Sequence, residues 1–89
     1  MHLNIQSIIP KIDIIRCEAQ SYSILVFSES WLKPEIKDDS ILIENFQPPF
    51  RTDRLDRPGG GVVIYVRDSL SCKRRYDLEV RGLEVVWLE

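Results

Sequence analysis

The chain has 89 residues, of which 44% are apolar and 29% charged, with a formal net charge of −2. That is room for one small domain of marginal stability, since a chain of this size buries only about two-thirds of its unfolded surface. The balance excludes a global basic field that would draw in nucleic acid and leaves that task to local patches. Apolar runs of a handful of residues exclude a membrane-spanning helix, and no basic-then-apolar leader opens the chain. Cys17 and Cys72 lie far apart without CxxC spacing, which argues against a disulfide framework or a zinc site. The expectation is two buried free thiols in an intracellular protein.

In chain order, His2 to Ile5 reads as a short first strand. Pro10 suits the first turn of a helix. Ile8, Ile12, Ile15 and Ala19 then recur at helical spacing and define a buried face, with Lys11, Arg16, Glu18 and Gln20 left wet, which predicts a helix over 9–20. Ile24 to Ser28 is nearly apolar on both sides and reads as a buried strand. Strand, helix and strand within about 30 residues form a βαβ unit, so the two strands are expected to run parallel with a right-handed crossover.

Parallel strands share a carboxyl edge, where ligands gather in open α/β sheets. Asn4 and Glu29 are therefore expected as neighbours there. A carboxylate at the end of a buried strand needs water, a basic partner or a metal ion beside it. A surface carboxylate accounts for Glu29 as simply as a functional one. Trp31 is expected to pack over the strand end, as core or lid.

Residues 33–40 read as a polar loop, Ile41 to Ile43 as a short strand, and Phe46 to Phe50 as an irregular return. Arg51, Arg54 and Arg57 alternate with Asp53 and Asp56. Local ion pairs on a solvated loop explain this alternation, and a phosphate-contacting loop is the functional alternative. Gly59 to Gly61 lead into a strand rather than a helix. That spacing fits no phosphate-binding loop and suits a bulge or a close backbone approach. Val62 to Val66 is the strongest strand by composition, with a turn at Asp68 to Leu70. Two more strands are expected, at 71–76, where Lys73, Arg74 and Arg75 suit a wet edge, and at 83–89.

Four segments in order carry a family resemblance: His2 to Ile8; Ile24 to Leu32, ending Ser28-Glu29-Ser30-Trp31-Leu32; Arg51-Thr52-Asp53-Arg54 with Gly59 to Val66; and Leu83 to Glu89. Together they resemble the endonuclease/exonuclease/phosphatase superfamily from residue 2 to residue 89. Within it they are most similar to the apurinic-type endonuclease domain that precedes the reverse transcriptase in LINE-type, non-LTR retrotransposons. The resemblance implies an α/β fold, the N-terminal part of a four-layer α/β sandwich, with the βαβ unit and further strands of one sheet. It implies a Mg²⁺-dependent hydrolase that nicks DNA for integration. In it Glu29 is a catalytic residue and the metal ligand, and Asn4 is a catalytic amide that orients the site and the scissile phosphate. Arg51, Arg54 and Arg57 are candidate nucleic-acid contacts. DNA is the implied partner, with a reverse transcriptase in the same parent chain and a nuclear location for the parent element.

Gln6 stands where many apurinic endonucleases carry an acidic residue. The family's later segments (the Tyr or His segment, Gly-Asp-x-Asn and Ser-Asp-His) have no counterpart here, and the single histidine is His2. Without an Asp-His pair no general base activates water. The expectation is that residues 1–89 are a partial domain lacking its C-terminal part, inactive alone and prone to aggregate through the sheet face which that part would cover. A non-catalytic remnant or interaction fragment, and a phosphoesterase of the same superfamily, are the alternatives.

Overall fold

The structure, a computed structural model, describes residues 1–54 and 59–70. These residues form a mixed four-stranded sheet with one helix, a small α/β fold. Strand β1 (His2–Asn4) leads to helix α1 (Ile12–Glu18), which single 3-10 turns at Ile9–Lys11 and Ala19–Ser21 extend at each end. Strands β2 (Ile24–Ser28), β3 (Phe50–Thr52) and β4 (Val62–Val66) follow, and the order across the sheet is β1-β2-β4-β3. The β1–β2 pair is parallel, as a helical crossover requires, and β4 runs antiparallel to both its neighbours.

The period-two alternation of β2 and β4 sorts their side chains onto two faces. Leu25 and Phe27 face the helix together with their register partners Tyr65 and Val63, and all four are fully buried. Ile8, Ile12, Ile15 and Ala19 meet them from the helical segment, and Leu32, Ile41, Ile43 and Phe46 close the rim of one continuous core. Phe27 and Tyr65 pack edge to face, with ring centroids 6.2 Å apart.

Three expectations are corrected. Ile41 to Ile43 is not a strand: a 3-10 turn at Asp38–Ile41 runs into loop. The carbonyls of Ile41 and Leu42 are taken by side chains instead of a neighbouring strand, and Ile43 O accepts from Phe46 N at 3.1 Å. The Tyr65 hydroxyl donates to Ile41 O at 2.7 Å, and Arg16 donates to Leu42 O at 2.9 Å and to Ser40 O at 3.3 Å. Second, Phe50 is no part of an irregular return but opens β3 along the outer edge of β4. Third, Cys17 is a free thiol but exposed, because the helical spacing that turns Ile12, Ile15 and Ala19 inward turns Cys17 outward. Cys72, the strands expected at 71–76 and 83–89, and Arg57 lie outside the described residues. No helix among the described residues is long and apolar enough to cross a membrane.

Candidate functional site at the carboxyl end of the parallel pair

The parallel register pairs Asn4 with Ser28, so the Asn4 amide and the Glu29 carboxylate emerge at the same end of neighbouring strands. Beyond the strands the two chains stay laced together. Ile5 N donates to Ser28 O at 2.9 Å, Ser7 N to Glu29 O at 2.9 Å, and Ile8 N to Ser30 O at 3.0 Å. On its other side the 29–31 segment lies against the glycine run, with Ser30 N to Gly61 O at 3.3 Å and Trp31 N to Gly60 O at 2.8 Å.

This lacing demands unusual backbone. Gln6, Ser7, Glu29 and Trp31 all hold positive φ, at 46°, 80°, 57° and 58°, and Gly59 to Gly61 are positive as well. For a residue with a Cβ the left-handed region costs roughly 1–2 kcal/mol, and such residues gather where surrounding structure enforces a particular side-chain presentation. Only Asn45, among the described non-glycine residues, has a positive φ elsewhere. Lys11 braces the same end from below, its Nζ donating to the carbonyls of Ile5 and Gln6.

Glycine at position 61 is required by space as well as by its φ of 91°. A Cβ there would stand 2.6 Å from Ser30 Oγ and 3.2 Å from the carbonyl oxygen of Thr52. Ser30 is only 1% exposed, and its hydroxyl has no hydrogen-bond partner among the described residues. Of its two neighbours, Glu29 is half-buried and Trp31 is 46% exposed. Trp31 is thus not a core residue; Leu32, 1% exposed, fills that place. The indole instead flanks Gly59 beside the Arg54 guanidinium, which lies over Gly60.

The two described arginines of the charged loop, Arg51 and Arg54, part company. Arg51 turns inward as a hub. It donates to Asp53 through Nε at 3.1 Å, to Asp38 at 3.0 Å, and to the carbonyls of Ile36 and Lys33 at 2.7 and 2.9 Å. Burial on its own lowers the Arg51 pKa, but hydrogen bonds and charge from Asp53 and then Asp38 outweigh it, and the net shift is upward. The cation is held permanently in place, and its donors tie β3 to the 33–38 loop. Arg54 alone of the described pair lies at the Glu29 end.

Neither the Glu29 carboxylate nor the Asn4 amide has a hydrogen-bond or ion-pair partner among the described residues, and both present oxygen. Oxygen donors with one carboxylate fit Mg²⁺, which completes its octahedron with water and phosphate oxygens. Among the described residues no cluster of three or more His, Cys, Asp or Glu could cage a metal. Any such ion would therefore depend on Glu29 and a phosphate together. No protein-family model, curated protein or solved structure matches the chain.

Proposed function

We propose that this chain is the N-terminal part of an endonuclease/exonuclease/phosphatase-type domain, a four-layer sandwich of the kind associated with LINE-type reverse transcriptases. In this reading the Asn4–Glu29 edge is one wall of a site for Mg²⁺-dependent phosphodiester cleavage in DNA. The observation that carries it is the parallel β1–β2 pair with Asn4 opposite Ser28, which brings an uncommitted amide and an uncommitted carboxylate to one strand edge. The concentration of left-handed backbone at that edge supports it further.

Glu29 would hold the cation, and Asn4 would orient the phosphate through its side-chain amide. Mg²⁺, when bound, neutralises charge that develops on the phosphate. The chain has no Asp-His pair, and its one histidine, His2, opens β1, away from the carboxyl edge. No residue here removes a proton from water, and the isolated chain is expected to bind the ion without efficient turnover.

The test has two arms. Mn²⁺ titration followed by NMR should broaden the Asn4 side-chain amide and the Glu29 resonances selectively, and Glu29→Ala should abolish the effect. Uniform or absent broadening counts against the site. Plasmid nicking with Mg²⁺ should be absent from both wild type and Glu29→Ala. Nicking that depends on Glu29 would show that the missing segments are dispensable. A non-catalytic reading, in which another chain pairs with β1, is favoured by one observation: β1 is an edge strand of the described sheet and carries the exposed Leu3.

A further inference from the structure

Trp31 is the exposed aromatic at the Glu29 edge, and its exposure is built in. The next residue, Leu32, is buried in the core. The backbone takes up a left-handed conformation at Trp31, φ 58°, and its N–H is fixed by Gly60 O at 2.8 Å. The floor beside the ring carries no side chain. The indole Nε1 lies 3.7 Å from where a Gly59 Cβ would stand, and Arg54 Nη1 lies 3.6 Å from the same point. Indole and guanidinium thus both stand against Gly59. Glu29, half-buried, lies two residues before Trp31 on the same short segment.

A backbone-fixed indole with a cation at its edge matches an unpaired nucleobase, which offers a π-face to stack and a phosphate one bond network away. With a net charge of −2, stacking rather than a long-range field must supply the affinity. We propose that Trp31, set against Gly59 and flanked by Arg54, is a stacking subsite for an unpaired base of single-stranded or locally opened DNA beside Glu29. This deepens the phosphodiester reading and rests on it for the role of Glu29.

The test uses the full 89-residue chain in EDTA, with Trp87→Phe leaving Trp31 as the single tryptophan. A short oligodeoxythymidylate should quench Trp31 fluorescence, and an abasic oligomer of equal length and charge should not. By anisotropy of the labelled oligonucleotide, on a chain that keeps Trp87, Trp31→Ala should weaken binding roughly tenfold while Trp31→Phe keeps most of it. Equal affinity for wild type and Trp31→Ala, or for the base-bearing and abasic oligomers, overturns the subsite. Trp31-dependent binding without selective Mn²⁺ broadening at Glu29 sustains the subsite and sinks the nuclease reading. Broadening without Trp31-dependent binding does the reverse, and the absence of both overturns both.

Discussion

Replacing Gly61 with alanine tests whether the 29–31 segment is held by close backbone approach. The φ of 91° costs an alanine roughly 1–2 kcal/mol. The new Cβ would also meet Ser30 Oγ at 2.6 Å and Thr52 O at 3.2 Å, and crowding of this kind adds about 1–3 kcal/mol. The expected loss is therefore about 2–5 kcal/mol, a large share of the roughly 4–13 kcal/mol that a domain of this length has in total. Ser30→Ala divides the cost. On its own it should be neutral or slightly stabilising, because it removes a buried hydroxyl that has no partner among the described residues. In that background Gly61→Ala should cost about 1–2 kcal/mol less than in the wild type, a coupling that a double-mutant cycle in urea resolves. A loss for Gly61→Ala below about 0.5 kcal/mol would refute the close approach. An identical loss in both backgrounds would refute the Ser30 contact.

Tyr65→Phe removes the hydroxyl that binds Ile41 O at 2.7 Å and should cost about 1–3 kcal/mol in chemical denaturation. Burial pushes the Tyr65 phenol well above its ordinary value of 10.0, so folding favours the neutral form. That part of the stability is complete below the unfolded pKa and is lost as pH rises above it; urea midpoints should fall beyond pH 10 in the wild type and less so in Tyr65→Phe. Arg51→Ala should destabilise by about 2–3 kcal/mol by leaving Asp53 without its cation, and Arg51→Lys should not restore it, since lysine lacks the planar fork. Oligonucleotide affinity, measured by the same anisotropy titration, should be unchanged in any Arg51 variant that still folds.

The parts legible in the sequence were those fixed by local pattern. The isoleucines at 8, 12 and 15 needed only helical spacing, and β2 and β4 needed only apolar, β-branched runs. The parallel pairing that sets Asn4 opposite Ser28 followed from the handful of ways a strand, helix and strand can close. What escaped was set by distant partners. Ile41 to Ile43 is an apolar run such as a short strand offers, but arginine and tyrosine side chains from other elements reach the carbonyls of Leu42 and Ile41 first. Arg51 could not be sorted from Arg54 by its neighbours in sequence, since Asp38 and two loop carbonyls decide its direction. The left-handed backbone at Glu29 and Trp31 left no trace at all, because the glycines that make it possible stand about 30 residues away in the chain, opposite rather than within the bend.

The position of β4 has a consequence for how the molecule comes into being. It is the last described strand in the chain yet lies between β2 and β3, with Ile24 opposite Val66. Until residue 66 is available, β2 has only β1 beside it, β3 has no sheet to join, and the Leu25 and Phe27 side chains have no Val63 or Tyr65 to pack against. Assembly therefore waits on a closure spanning some forty residues, which places it among the slower topologies rather than the fast helical ones. A nascent chain on the ribosome should stay sensitive to protease through the whole of β3 and gain protection in one step when β4 emerges.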